Sequence, residues 1–330
     1  MRTKCALLWI VKATVLVQIL ASPAVHAQIT SFGFVSAPDR FSERVASELS
    51  VRMQQQLGVG HIEPVRLDTF GSIANAVDAL RFGKLSLMLL PVSALESTVP
   101  ELGVLGLPLL FRSAERASVA AKGRLGDRLK TLVKAKLDVE IIGFLWRVGT
   151  FASNRCLSHP NDLKGLKIAD GPSWYQLLLN VSGANAFVIA SSEVPLALQR
   201  GAVDGVLFVI EVISDAGVME SAKCLTGVSR DQFMILPQVI LASKDAMTEL
   251  SARRSELASI VDQRERENLT SIARQAAELE KLYGTRGNQI ASFGDAERKT
   301  WDEVRDRVNR EFDSKVPGGA ELRQLLEDAR

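Results

Sequence analysis

The stretch from residue 252 to 283 constrains the fold most. It is rich in Arg, Glu, Ala, Gln and Leu, all helix formers. A helix of about 30 residues is near 45 Å long, more than one small lobe can cover. Such a helix braces two lobes or enters a coiled coil. Its apolar positions, Leu257, Ile260, Leu269, Ile272, Ala276, Leu279 and Leu282, do not keep a clean heptad, which favours bracing.

The sequence before it alternates strand-like and helix-like patterns, the mark of an α/β protein. An apolar strand is expected over 29–36. Phe41, Val45, Leu49, Met53 and Leu57 follow at steps of four, one face of a helix. A short strand at 65–67 leads to a helix marked by Ile73, Val77 and Leu80, capped by Ser72 and stopped near Gly83. The apolar run 85–90 reads as a strand covered on both faces. One helix over 114–137 and a strand over 139–147 come next. A second series has strands near 166–168, 187–189 and 206–210, with helices at 173–181 and up to Gln199. Two further helices are expected at 300–312 and 319–329. Two successive series suggest two lobes, with the site in the cleft between them.

The N-terminus reads Met1-Arg2-Thr3-Lys4, then apolar residues over 6–21 broken by Lys12, then Pro23-Ala24-Val25-His26-Ala27. This order is that of a secretory signal peptide, residues 1–27, with Gln28 as the first mature residue. The uninterrupted apolar run at 13–21 is far short of the ~20 residues that a spanning helix needs. The whole chain carries a formal charge of +2. Loss of Arg2, Lys4 and Lys12, with no acid lost, brings the remainder to −1. That leaves no basic field for phosphates and excludes a nucleic-acid binder. The mature chain is expected in the periplasm, without a span of its own. Beyond Cys5 it keeps Cys156 and Cys224. In an oxidising compartment these pair, or they are buried free thiols; both readings stand.

Nothing in the sequence supports catalysis or a cofactor. Of the histidines, His26 lies in the signal, and His61 and His159 lie in turn-like sequence with no metal-ligand spacing. There is no nucleophile elbow, phosphate loop or dinucleotide fingerprint. Carboxylates sit mostly among Lys and Arg on helix faces, as on a solvated surface. The expectation is no enzyme, no metal and no cofactor.

The middle of the chain is distinctive. It holds Ser153-Asn154-Arg155, then Asn161-Asp162-Leu163-Lys164-Gly165-Leu166-Lys167-Ile168, then Gly183-Ala184-Asn185. Glu193-Val194-Pro195-Leu196-Ala197-Leu198-Gln199-Arg200-Gly201-Ala202-Val203-Asp204-Gly205 follows. This resembles the solute-binding subunits of tripartite ATP-independent periplasmic (TRAP) transporters, the DctP family, over roughly residues 29–281. The resemblance implies a two-lobed α/β periplasmic binding protein fold, with a long helix crossing both lobes. It implies lobe one at 28–146 plus 238–280 and lobe two at 147–237 plus 281–330. It also implies a small organic solute, delivered to a permease of small and large membrane subunits driven by an ion gradient. The same fold used as a ligand sensor for a membrane receptor is the alternative.

Several residues depart from the family pattern. The arginine usual after the Lys-Ile strand is Ala169, followed by Asp170. A second family arginine would stand at Gly149. Arg147, two residues earlier, points to the same side of a strand and is the surviving anion contact, or else a hinge salt bridge. The polar run usual after Val-Asp-Gly is Val206-Leu207-Phe208. Trp174 and Phe208 stack on a ring or aliphatic body, or are core aromatics. Asp170 accepts from a ligand hydroxyl or pairs a cation, or caps the helix near Ser173. Asn185 and Phe233 complete the ligand-binding candidates. The cleft that results is more apolar and aromatic than the family's usual one, which sets the ligand apart from a simple carboxylate or makes Arg147 its anchor.

Overall fold

The computed structural model describes residues 29–37, 40–171 and 173–327; the expected signal peptide lies outside them. Ten strands form one continuous sheet. They are β1 (Ser31–Phe34), β2 (Glu63–Arg66), β3 (Leu87–Pro91), β4 (Glu140–Ser153), β5 (Lys167–Asp170), β6 (Asn185–Val188), β7 (Gly205–Val209), β8 (Cys224–Thr226), β9 (Met234–Ala242) and β10 (Gln289–Ala291). The order is β2-β1-β3-β9-β4-β7-β5-β6, with β8 pairing β4 and β10.

Strand β4 carries the chain from one half of the sheet to the other. The sequence predicts it to end at Arg147, but it runs 14 residues to Ser153. Its first part, to Gly149, pairs antiparallel with β9. From Gly149 to Ser153 it pairs antiparallel with β7. Outside these crossing strands the connections are parallel: β2-β1-β3 on one side, β7-β5-β6 on the other. The fold is thus a two-lobed α/β architecture with two strands shared between the lobes.

No strand is expected at 234–242 from the sequence, and β9 carries Pro237, a residue seldom found in a central strand. The register explains its tolerance. β3 stops pairing at Gln238, so Pro237 has only β4 beside it, at Trp146. The single helix expected over 114–137 is two, Ala114–Lys122 and Arg124–Leu137. Gly123 separates them with an extended backbone, φ −92° and ψ −160°. By contrast, Ser72 caps the helix Ile73–Arg81 as expected, its hydroxyl accepting from Asn75 N at 3.1 Å. Cys156 and Cys224 are paired as a disulfide, with Cα atoms 5.1 Å apart, which decides between the two cysteine readings.

The long helix spans Arg254–Thr285, 32 residues. Near its start, Leu257, Ile260 and Val261 pack with Val45, Leu49, Met53 and Leu57 of the helix Phe41–Leu57. Further along, Ile272, Ala276, Leu279 and Tyr283 join the larger core that holds the second series of strands. At the crossing it is pinned by buried polar groups. Asn268 Oδ1 accepts from Trp146 N at 2.8 Å, and its Nδ2 donates to Trp146 O at 3.0 Å. Trp146 lies before β7 begins to pair, so the Asn268 amide takes the place of the missing strand. Glu265, one turn earlier, accepts from Trp146 Nε1 at 2.8 Å and Ser118 Oγ at 2.6 Å. Lys122 Nζ lies 2.6 Å from its other oxygen. Asn268→Leu strands two backbone groups in a dry site. We expect a loss of about 2 kcal/mol, seen as a lower urea midpoint at unchanged slope.

Candidate functional site

A cavity of about 270 Å³ lies where β4, β7 and β9 meet. Arg147 reaches it from β4, Leu207 and Phe208 from β7, and Leu236, Pro237 and Gln238 from β9. Pro91, Ser93 and Glu96 wall it on the side of the first series, Gly171, Trp174 and Val212 on the side of the second. Most of this surface is apolar, with a few polar groups converging, which is the usual build of a small-molecule site.

Arg147 is largely buried. Its Nη2 lies 3.3 Å from Glu211 Oε2, and its guanidinium stacks 5.0 Å from the centre of the Phe41 ring. The position two residues on, Gly149, has no room for any side chain. A Cβ there would sit 2.3 Å from Phe208 O and 2.7 Å from Met234 Sδ. An arginine at Gly149 is therefore barred by packing, and the guanidinium of this strand comes from Arg147.

Trp174 opens the helix Ser173–Val181 and packs edge-on against Phe312, ring centres 5.3 Å apart. Its Nε1 is buried and has no hydrogen-bond partner among the described residues. A Cβ at Gly103 would lie 2.7 Å from that nitrogen and 3.3 Å from the carboxyl carbon of Glu96. The bare backbone of Gly103 thus leaves room for the indole N–H edge and the Glu96 carboxylate, two side chains that also line the cavity. Phe208 is half-buried and also lines the cavity.

The other candidates lie outside the lining. Ala169 is fully buried within β5, between Val206 and Phe187 of its neighbouring strands. Asp170 is fully buried behind Gly171. Its Oδ1 accepts from Gly171 N at 2.6 Å, so its bond goes to the next residue, not to the helix it was expected to cap. Its Oδ2 has no partner among the described residues, and desolvation pushes its pKa well above the usual carboxylate range. Asn185 is exposed at the start of the edge strand β6, its amide 3.4 Å from Gly165 O. Phe233 is a core residue, with ring centres 4.8 Å from Phe151, 4.8 Å from Trp301 and 5.2 Å from Phe293. The geometry brings together Arg147, Trp174 and Phe208. Sequence reasoning missed Glu96 and Gln238. Gln238 is a buried amide, 2% exposed, in the otherwise apolar run of β9, and that isolated polar residue was its signal.

A larger cavity, about 860 Å³, opens between the helix Ala114–Lys122 and the C-terminal helices. It is walled by charged groups such as Arg112, Arg116, Lys299 and Arg305, and none of the sequence-derived candidates line it. Among the described residues no cluster of His, Cys, Asp or Glu could hold a metal ion, and no helix is long and apolar enough to cross a membrane.

The model of the DctP family, bacterial extracellular solute-binding protein family 7, matches residues 56–315. The chain belongs to this family. A solute-binding protein of Albidiferax ferrireducens is 25% identical to this DctP-family chain over 252 residues, 76% of the chain and 74% of the relative. Two solved structures share the fold. One is a TRAP periplasmic solute-binding protein from Rhodoferax ferrireducens with bound malonate, TM-score 0.77 at 21% identity, covering 91% of this chain and 97% of that one. The other is from Chromohalobacter salexigens with bound D-glucuronate, TM-score 0.75 at 18% identity, covering 91% and 100%.

Proposed function

We propose that this DctP-family protein is the extracytoplasmic receptor of a TRAP-type transporter. It holds a small organic solute in the cavity between its lobes and hands it to the membrane permease. The N-terminal segment 1–27 is its export signal, and the mature chain works in the periplasm without catalysis. Lobe one is 28–146 plus 238–280; lobe two is 147–237 plus 281–330. The change of partner along β4 at Gly149 supports a division near this point.

One observation carries the reading: the cavity is lined from both halves of the sheet at the strands that cross between them. A hinge there changes the cavity's walls, which is how a two-lobed receptor closes on a solute. Arg147 is the anion contact, suited to a carboxylate by its planar fork. Trp174, Phe208, Leu236 and Pro237 hold the apolar body. The bound neighbours malonate and D-glucuronate support a carboxylate on the solute.

A thermal-shift screen of residues 28–330 tests this. A solute at about 100 times its dissociation constant adds about 2.7 kcal/mol of stability. Arg147→Ala should weaken binding of an acid about 10- to 100-fold, since a hydrogen bond to a charged group is worth about 1.5–3 kcal/mol. An acid that binds equally well to both proteins would remove Arg147 from the site.

A further inference from the structure

We propose that Gln238 is the residue that selects the solute, and that it does so by reading a neutral hydroxyl beside the carboxylate of an otherwise apolar acid. This rests on the receptor reading above and narrows it. Gln238 is 2% exposed, yet its side chain has one hydrogen bond among the described residues, from Nε2 to Pro237 O at 3.5 Å, the outer limit for such a bond. Buried side-chain amides are usually better satisfied than this. The sheet offers it little more. Its cross-strand neighbours are Pro91 on β3 and Leu145 on β4, whose side chains neither donate nor accept. Ser93 and Ser191 also line the cavity, but they are exposed and half-buried, and water serves them. A solute that fills the cavity must offer the Gln238 amide a partner or leave it stranded.

The register puts this amide beside the anion contact. Met234, Leu236 and Gln238 alternate along β9 and line the cavity from one face. Arg147 pairs with Leu236, and Leu145 with Gln238. Arg147 and Gln238 are therefore diagonal neighbours on that face, about 7–8 Å apart at the backbone, a gap that one small molecule bridges. A carboxylate on Arg147 brings the carbon next to it toward the amide, and leaves the apolar body to Phe208, Leu236 and Pro237. A primary amide both donates and accepts. A hydroxyl answers both groups, an oxo group answers the donor alone, and a methylene answers neither.

The test is calorimetric titration of the mature protein with matched acids: 4-methylpentanoate and 3-phenylpropanoate, their 2-oxo derivatives and their 2-hydroxy derivatives. The expected order is hydroxy, then oxo, then unsubstituted acid, with about 10- to 100-fold between first and last. Gln238→Met keeps the length and shape of the side chain and removes both hydrogen-bonding groups. It should abolish the preference for the hydroxyl while the unsubstituted acid binds as well as before, or better. A merely structural role for Gln238 would instead move all three affinities together, and that result would overturn the proposal. So would an unsubstituted acid that binds the parent protein as tightly as its hydroxy derivative, or a library solute that binds when no hydroxy acid does; in each case the receptor reading stands. If these acids and a broad solute library all fail to bind, the receptor reading falls with it.

Discussion

Arg298→Ala should destabilise the folded protein by about 3–5 kcal/mol, the range for stripping one partner from a buried ion pair. The Arg298 side chain is 7% exposed, as is that of Asp231, its partner at 2.6 Å. Its Nε also donates to Asp231 at 3.0 Å. The remaining donors go to backbone: Leu109 O at 3.0 Å, Gln232 O at 3.2 Å and Phe111 O at 3.3 Å. Leu109 sits in the left-handed region, φ 61°, which a leucine disfavours, so the bond to its carbonyl helps to hold a strained turn. One guanidinium thereby ties residues 109–111 and 231–232 to the helix Asp295–Thr300. Alanine leaves a buried carboxylate with only Arg112, at 3.3 Å, and three carbonyls without their donor. Urea unfolding should show the drop in midpoint. Asp231→Leu combined with Arg298→Met should recover part of the loss, because an apolar pair removes the stranded charge. A single alanine variant as stable as the parent would show that the knot contributes nothing.

The second large effect is expected at Cys156–Cys224. The bridge closes 68 residues of sequence, including β5, β6 and β7. Chain-entropy arguments put such a loop near 4 kcal/mol, and measured losses on removing a native disulfide run about 2–5 kcal/mol. The double replacement Cys156→Ser, Cys224→Ser should therefore unfold at clearly lower urea concentration than the parent. Reductant should lower the parent's midpoint toward the variant's and leave the variant unmoved. Equal midpoints with and without reductant would show that the bridge does not form in solution.

What was legible in the sequence follows from what each signal depends on. The long helix, the stepwise apolar face from Phe41 to Leu57 and the Ser72 cap are local patterns, and they appear at or near their expected places. The length of β4 was not local: its last residues are a strand because β7, some 55 residues later, lies beside them. Strand β9 was not read, and the place of Pro237 within it depends on where β3 ends, which is not local either. In the site, the shift from Gly149 to Arg147 was readable from strand periodicity, but its cause, a Cβ clash with Phe208 O, needs the paired strand. Trp174 and Phe208 were found as large aromatics next to departures from the family pattern. Phe233 carried the same residue chemistry and went to the core, since an aromatic side chain does not encode which face it meets. Glu96 went unnoticed because it becomes part of the site only when the helix starting near Ser173 brings Trp174 against Gly103.

The most direct test of the central claim is a crystal structure of the mature protein with the solute that gives the largest thermal shift. The solute should lie in the cavity at the crossing strands, its carboxylate on Arg147 and its body between Trp174 and Phe208. A solute seated instead in the larger charged cavity beside Arg116 and Lys299, with the crossing-strand cavity empty of it, would contradict the account.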